Sequence, residues 1–119
     1  MEKEFFLQWL KSHKYCVLAT AQADRPWAAT MDYTVDDSLN IYIGTSPASL
    51  KFQNIKRNPI VGLVIDSQDE SGTLQLQGTA QERKPTNDNP ANLVIRPTFL
   101  VFKKKDEKTD KVEVKELKM

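Results

Sequence analysis

Thr45, Ser46, Ser49 and Lys51 stand within seven residues of one another, directly after Gly44. Hydroxyls and an ammonium at this spacing are anion-binding chemistry if they sit where a helix begins. The residues before them read as a strand: Leu39, Ile41 and Ile43 share one face, Asn40 and Tyr42 the other. Ser46 is a favourable N-cap, and Pro47 suits the first helical position, where no N–H is missed. The helix is predicted to close before Pro59, which disfavours helical geometry at Asn58. Unpaired backbone N–H groups, hydroxyls and the positive end of the helix dipole then converge on one corner.

Lys51 sharpens this corner. At about 100° per residue, Ala48, Phe52 and Ile55 form an apolar stripe. Lys51 lies on its flank, next to both Ala48 and Ile55 on the helix surface. From there the stem can follow the core while the amine turns back to the helix N-terminus, or the amine can snorkel to water.

Other chemistry is scarce. The chain has 119 residues with one histidine, His13, and one cysteine, Cys16. Neither has ligand-like spacing to a partner, which argues against a zinc site. A lone cysteine excludes an intrachain disulfide and fits a reducing compartment, so a cytoplasmic protein is expected. No apolar run approaches a membrane span, and the acidic, amphipathic N-terminus is unlike a signal peptide. Hydrophobic residues make up 39%, charged residues 28%, and the net charge is +1. That profile fits one folded domain over residues 1–119 and gives no global field for nucleic acid or membrane.

The elements that must position the corner follow from periodicity. Glu2–His13 reads as an amphipathic helix with Phe5, Phe6, Trp9, Leu10 and His13 on one face. Tyr15–Thr20 is an apolar run predicted as a strand buried on both faces. Trp27–Val35 alternates, and its last residues turn through Asp36–Ser38 to form a hairpin with Leu39–Ile43. Ile60–Ile65 reads as a buried strand with a close backbone approach at Gly62. Ser67–Gly72 is a turn, and Thr73–Arg83 alternates cleanly. Lys84–Asn92 is a loop. Leu93–Lys104 is a long strand interrupted at Pro97, which indicates an edge or a bulge. The lysines at 103–105 read as a solvated hairpin end before a last strand, Lys111–Leu117. The count is roughly six to seven strands and two short helices, a mainly β (α+β) antiparallel barrel.

The order of these pieces resembles the pyridoxamine 5′-phosphate oxidase-like, FMN-binding split-barrel family. The matching residues are Val17–Thr20, Pro26, Tyr42–Thr45, Ser49, Lys51, Asn58, Pro59, Gln77 and Gly78, and the likeness covers residues 2–104. It implies a split barrel, a homodimer, and FMN at the subunit interface. Carried onto this chain, Thr45, Ser49 and Lys51 hold the FMN phosphate, with Gly44 and Ser46 in the same turn. The backbone of Ala28, Ala29, Thr30, Met31, Asp32 and Tyr33 runs along the isoalloxazine edge. Two departures stand out. Many members place an arginine near Ala29, which leaves Lys51 as the main cation here. The true oxidases carry a longer C-terminal region with basic substrate-binding residues, whereas this chain ends in VEVKELKM and its Lys84–Asn92 loop is short where many relatives have a helix, so pyridoxamine phosphate oxidation is not expected.

The resulting expectation is a small FMN-dependent oxidoreductase. Its alternative is a non-catalytic carrier or sensor of flavin, deazaflavin or haem. Tyr33, Asp32 and His13 read as structural, and no catalytic residue is assigned. Nucleic-acid binding would need a basic stripe with exposed aromatics, whereas the lysines near the C-terminus are interleaved with acids.

Overall fold

The computed structural model describes residues 2–67 and 72–119; the turn expected over Ser67–Gly72 lies mostly outside the described residues. Among the described residues, two helices and eight strands follow in the order α1 (Glu2–Lys11), β1 (Tyr15–Gln22), β2 (Arg25–Asp32), β3 (Thr34–Val35), β4 (Ile41–Ile43), α2 (Leu50–Arg57), β5 (Ile60–Asp66), β6 (Thr73–Glu82), β7 (Leu93–Lys105) and β8 (Val112–Lys118). All strand pairs are antiparallel, in the order β2-β1-β5-β6-β7-β4-β3, with β8 beside the C-terminal half of β7. The curled sheet is a split β-barrel, as the family resemblance implies, with eight strands where the pattern indicates six to seven.

Helix α1 closes the core because Phe6 and Leu10, one turn apart, are fully buried, with Leu7 and Trp9 beside them. It ends at Lys11 rather than His13. There the Ser12 hydroxyl donates to the Trp9 carbonyl at 2.7 Å, and His13 Nδ1 lies at the same distance from that oxygen. The His13 ring also stacks on Trp9, with centroids 3.8 Å apart. His13 is therefore a helix-end residue.

Strands β1 and β5 depart from the expectation of two buried faces. In β1, Cys16, Leu18 and Thr20 point inward, while Tyr15, Val17 and Ala19 are exposed. In β5, Val61, Leu63 and Ile65 are buried and Ile60 is exposed. Apolar residues on both faces hid the alternation. The expected strand Trp27–Val35 breaks at Tyr33, whose amide bonds to the Lys14 carbonyl at 3.0 Å. Only Thr34 and Val35 then pair with β4. Leu39 lies just outside β4 at φ +70°, and its fully buried side chain fills the core from that strained position. The Asp36 carboxylate holds this turn by accepting from the Ser38 and Asn40 amides at 2.9 and 3.0 Å.

Strand β7 is continuous through Pro97 and is not an edge. Gly78 faces Pro97 and Gln77 faces Phe99, which leaves Thr98 as the extra residue of a β-bulge. Pro97 lies between the residues that pair with β4 and those that pair with β8, where no ladder N–H is needed from it. The close backbone approach is also here rather than at Gly62. A Cβ on Gly78 would lie 2.7 Å from the Arg96 carbonyl, whereas at Gly62 it would make ordinary contacts.

Candidate functional site

The corner after β4 is built differently from the sequence expectation. Ser46 and Pro47 do not start the helix. The Ser46 hydroxyl accepts from the Ala48 amide at 3.2 Å, and its carbonyl accepts the amide and hydroxyl of Ser49 at 3.0 and 2.7 Å. That is a tight turn of the kind serine favours. Ser49 is the N-cap: its backbone is extended, and its hydroxyl accepts from the Phe52 amide at 3.3 Å. Two serines in one short run offer competing caps, and the later one wins because burial of Phe52, Asn54 and Ile55 sets where the helix docks. Ala48 precedes the helix and is exposed, so it is not part of the buried stripe. Asn58 ends the helix in an extended conformation, as Pro59 demands.

This geometry changes the donor set. The Ser49 hydroxyl is occupied on both sides, so Ser49 shapes the corner more than it offers a free hydroxyl. The Thr45 hydroxyl has only a 3.4 Å contact to Ser49 Oγ. The first helical amides, Leu50 and Lys51, have no acceptor among the described residues, as expected of a helix N-terminus. Lys51 is half-buried, α2 has no acidic residue in its first turn, and the ion pairs among the described residues (Lys11–Asp37 and Lys105–Asp110) leave Lys51 uncompensated. A hydroxyl and two unpaired amides, with Lys51 in the first turn of the same helix and no acidic residue in that turn, suit a phosphate.

Helix α2 packs against β1 and β2, which brings the corner beside the edge strand of the sheet. On β2, Ala29 and Met31 lie opposite Leu18 and Cys16 on the inner face. Ala28, Thr30 and Asp32 lie opposite Ala19, Val17 and Tyr15 on the outer face. Tyr33 is held apart from this: its buried hydroxyl donates to the Leu10 carbonyl at 2.7 Å, and burial, then the neighbouring Cys16, pushes its pKa up. Asp32, Tyr33 and Gly44 line a cleft of about 250 Å³ together with Asn89, Pro90 and Ala91. Asp32 at the end of β2 and Gly44, which precedes the corner, thus share one cleft.

Several residues of this region were not read from the sequence. Asn92 binds the Thr45 backbone, accepting from its amide at 3.1 Å and donating to its carbonyl at 2.6 Å. Arg83 donates from Nη1 to the Asn89 and Ala91 carbonyls and lies over the Tyr42 ring. Tyr42 donates to Asp36 Oδ2 at 2.9 Å, which raises the phenol's pKa. Partial burial would raise the Asp36 carboxyl, yet hydrogen bonds from Tyr42, Asn40 and Ser38 hold it below the usual range. The two groups are engaged with each other. Asn92 sits far from Thr45 in sequence, within a loop recognised only by composition, so no local signal pointed to it. Among the described residues no cluster of His, Cys, Asp and Glu could hold a metal.

A second, apolar depression of about 400 Å³ lies on the outer sheet face, lined by Val17, Ala19, Gly62, Val64, Phe99 and Val101.

The sequence profile of pyridoxamine 5′-phosphate oxidase matches residues 2–112. The chain belongs to that family. Solved structures agree in fold. General Stress Protein 26 from Bacillus anthracis str. Sterne superposes with a TM-score of 0.75 at 18% identity, covering 100% of both chains. A pyridoxamine 5′-phosphate oxidase-related, FMN binding protein from Nostoc punctiforme gives 0.61 at 12%, covering 98% of this chain and 93% of that one. An F420 reductase gives 0.62 at 22%, covering 78% and 93%. At these identities the likeness establishes the fold alone. A search of curated proteins finds no match.

Proposed function

We propose that the protein binds FMN by its phosphate at Thr45, Lys51 and the α2 N-terminus, and acts as a small flavin-dependent oxidoreductase. The carrying observation is the corner itself: half-buried Lys51 has no anionic partner among the described residues, beside unpaired helical amides, in a chain of this family. A bound flavin supplies hydride and electron transfer, while the chain binds and orients it. The backbone of Ala28–Tyr33 lies along the ring edge in this reading, next to the Gly44 cleft. Of the titratable side chains near it, Tyr33, Tyr42 and Asp36 are committed to structural hydrogen bonds, while Asp32 is exposed. Membership of the family does not carry the pyridoxamine phosphate reaction with it, and we do not assign that reaction.

The same reading makes the protein a single-domain homodimer of the cytoplasm. The apolar outer face supports the dimer, and exposed Leu50 at the start of α2 adds to it. The buried thiol of Cys16 suits a reducing compartment. No described helix is long and apolar enough to cross a membrane.

A visible spectrum of the purified protein, before and after addition of FMN, tests the reading. Flavin absorbance that a reduced nicotinamide bleaches supports the enzyme. Flavin absorbance that no donor bleaches replaces it with a carrier or sensor. A deazaflavin or haem spectrum with no FMN uptake overturns it.

A further inference from the structure

Strands β4 and β7 pair through Ile43 and Leu93, and there the ladder stops. The next residues along the two chains are Gly44 and Asn92. Beyond them a side chain takes over: Asn92 Oδ1 accepts the Thr45 amide at 3.1 Å, and Asn92 Nδ2 donates to the Thr45 carbonyl at 2.6 Å. A primary amide is the side-chain group that donates and accepts as a peptide unit does. It thereby serves both backbone groups of Thr45, as a further strand residue would.

Asn92 is itself held. Its carbonyl accepts the Arg83 amide at 2.9 Å. The Arg83 guanidinium ties the stretch just before it by donating to the Asn89 and Ala91 carbonyls at 3.1 and 2.5 Å. The Asn89 side chain accepts from the Ala91 amide at 3.1 Å. The loop is thus braced against the end of β6 and delivers one amide to one threonine.

The consequence lies at the anion corner. With its N–H and C=O both taken, Thr45 has only its hydroxyl to offer, and that hydroxyl stands 3.4 Å from the helix-capping Ser49 Oγ. We propose that Asn92 is a positioning residue for the phosphate, fixing Thr45 so that its hydroxyl rather than its amide meets the anion. This assignment rests on the flavin reading above.

A double-mutant cycle of Asn92→Leu and Thr45→Val, read by FMN and riboflavin affinity, tests it. Leucine removes both hydrogen bonds without adding charge. Each single variant should weaken FMN by roughly three- to tenfold, the scale of one hydrogen bond. Riboflavin, which lacks the phosphate, should stay within about twofold, and the double variant should bind FMN no worse than Thr45→Val. Parallel loss of both ligands, independent multiplying losses, or no change in FMN affinity each overturn the assignment. Wild-type protein supplies a measurement that no folding defect can confound. The Thr45 amide should be protected from hydrogen exchange equally with and without FMN, and protection gained only on adding FMN would show that the anion takes the amide. If wild type does not prefer FMN to riboflavin, the flavin-phosphate reading falls and Asn92 with it. If wild type prefers FMN and the Asn92 variant keeps that preference in full, Asn92 alone is misassigned.

Discussion

The Asn54 side-chain amide donates to the Thr20 hydroxyl at 3.1 Å, and both residues are sealed from solvent. This bond fixes α2 over β1 and so sets where the anion corner sits. Thr20→Val should remove the acceptor and cost about 1–3 kcal/mol, because a buried donor is left unpaired. Adding Asn54→Leu should cost less than the sum of the two single changes, since an apolar pair strands no polar group. Denaturant titration of the four proteins measures this, and strict additivity would show the two residues to be uncoupled.

Lys51→Ala should weaken FMN by about tenfold to a hundredfold. Micromolar binding corresponds to about 8 kcal/mol. A helix N-terminus contributes about 0.3–1 kcal/mol, and one charge-assisted hydrogen bond about 1.5–3. Ser49 is occupied and the first turn of α2 holds no acidic residue, so in the proposed reading Lys51 supplies the main counter-charge. Riboflavin should bind wild type and variant alike. Equal losses for both ligands would return Lys51 to the role of a snorkelling surface lysine.

Burial, and then the charge of Asp32, pushes the Cys16 thiol up from 9.0 to about 12. A group whose folded pKa is raised stabilises the fold below its unfolded pKa and loses that contribution as pH rises towards the folded value. Stability should therefore fall between about pH 9 and 12. Cys16→Ala should show a shallower fall in that window, though not a flat one, because the Tyr33 phenol is raised as well. Thiol reagents should label native wild type slowly at neutral pH. Rapid labelling would contradict the buried, protonated thiol.

Gly78→Ala should destabilise the protein by about 1–3 kcal/mol, the usual cost of overpacking. The added methyl would meet the Arg96 carbonyl at 2.7 Å and Ile95 Cγ2 at 3.0 Å across the bulge. Gly62→Ala, with its nearest neighbour at 3.7 Å, should cost less. Thermal melts of the two variants compare the sites, and a reversed order would refute the packing argument.

Light scattering at micromolar concentration should give twice the 13.6 kDa chain mass. Val64→Lys, which puts a charge on the apolar outer face, should yield the single-chain mass while leaving FMN's phosphate corner in place. A monomeric wild type would end the dimer proposal.

The alternating faces of β6 were legible because Leu74, Leu76, Gly78 and Ala80 face a core while their neighbours are polar. The same rule failed at β1 and β5, where Val17 and Val64 carry apolar surface outward and erase the period. At the candidate site, Thr45 and Lys51 could be proposed from sequence because both lie within a few residues of one helix start. The choice between Ser46 and Ser49 as cap was not, since it depends on how Phe52 and Asn54 dock. Asn92 was invisible for a related reason: its partner is a backbone group brought near by the β4–β7 pairing. Sequence carries no mark of which backbone a distant amide will meet.

Thr98 gives β7 two phases. Before it the odd-numbered residues Leu93, Ile95 and Pro97 point to the core; after it the even-numbered residues Leu100 and Phe102 do. One inserted residue thus acts as a half-period shift, and each half of the strand is in step with a different partner, β4 or β8. Deleting Thr98 would put the two halves in a common phase, and one of them would have to turn inside out. The segment is therefore intolerant of a change in length at this point, even though Thr98 itself is exposed and polar. What is held fixed there is the count of residues, while the identity of the side chain is comparatively free.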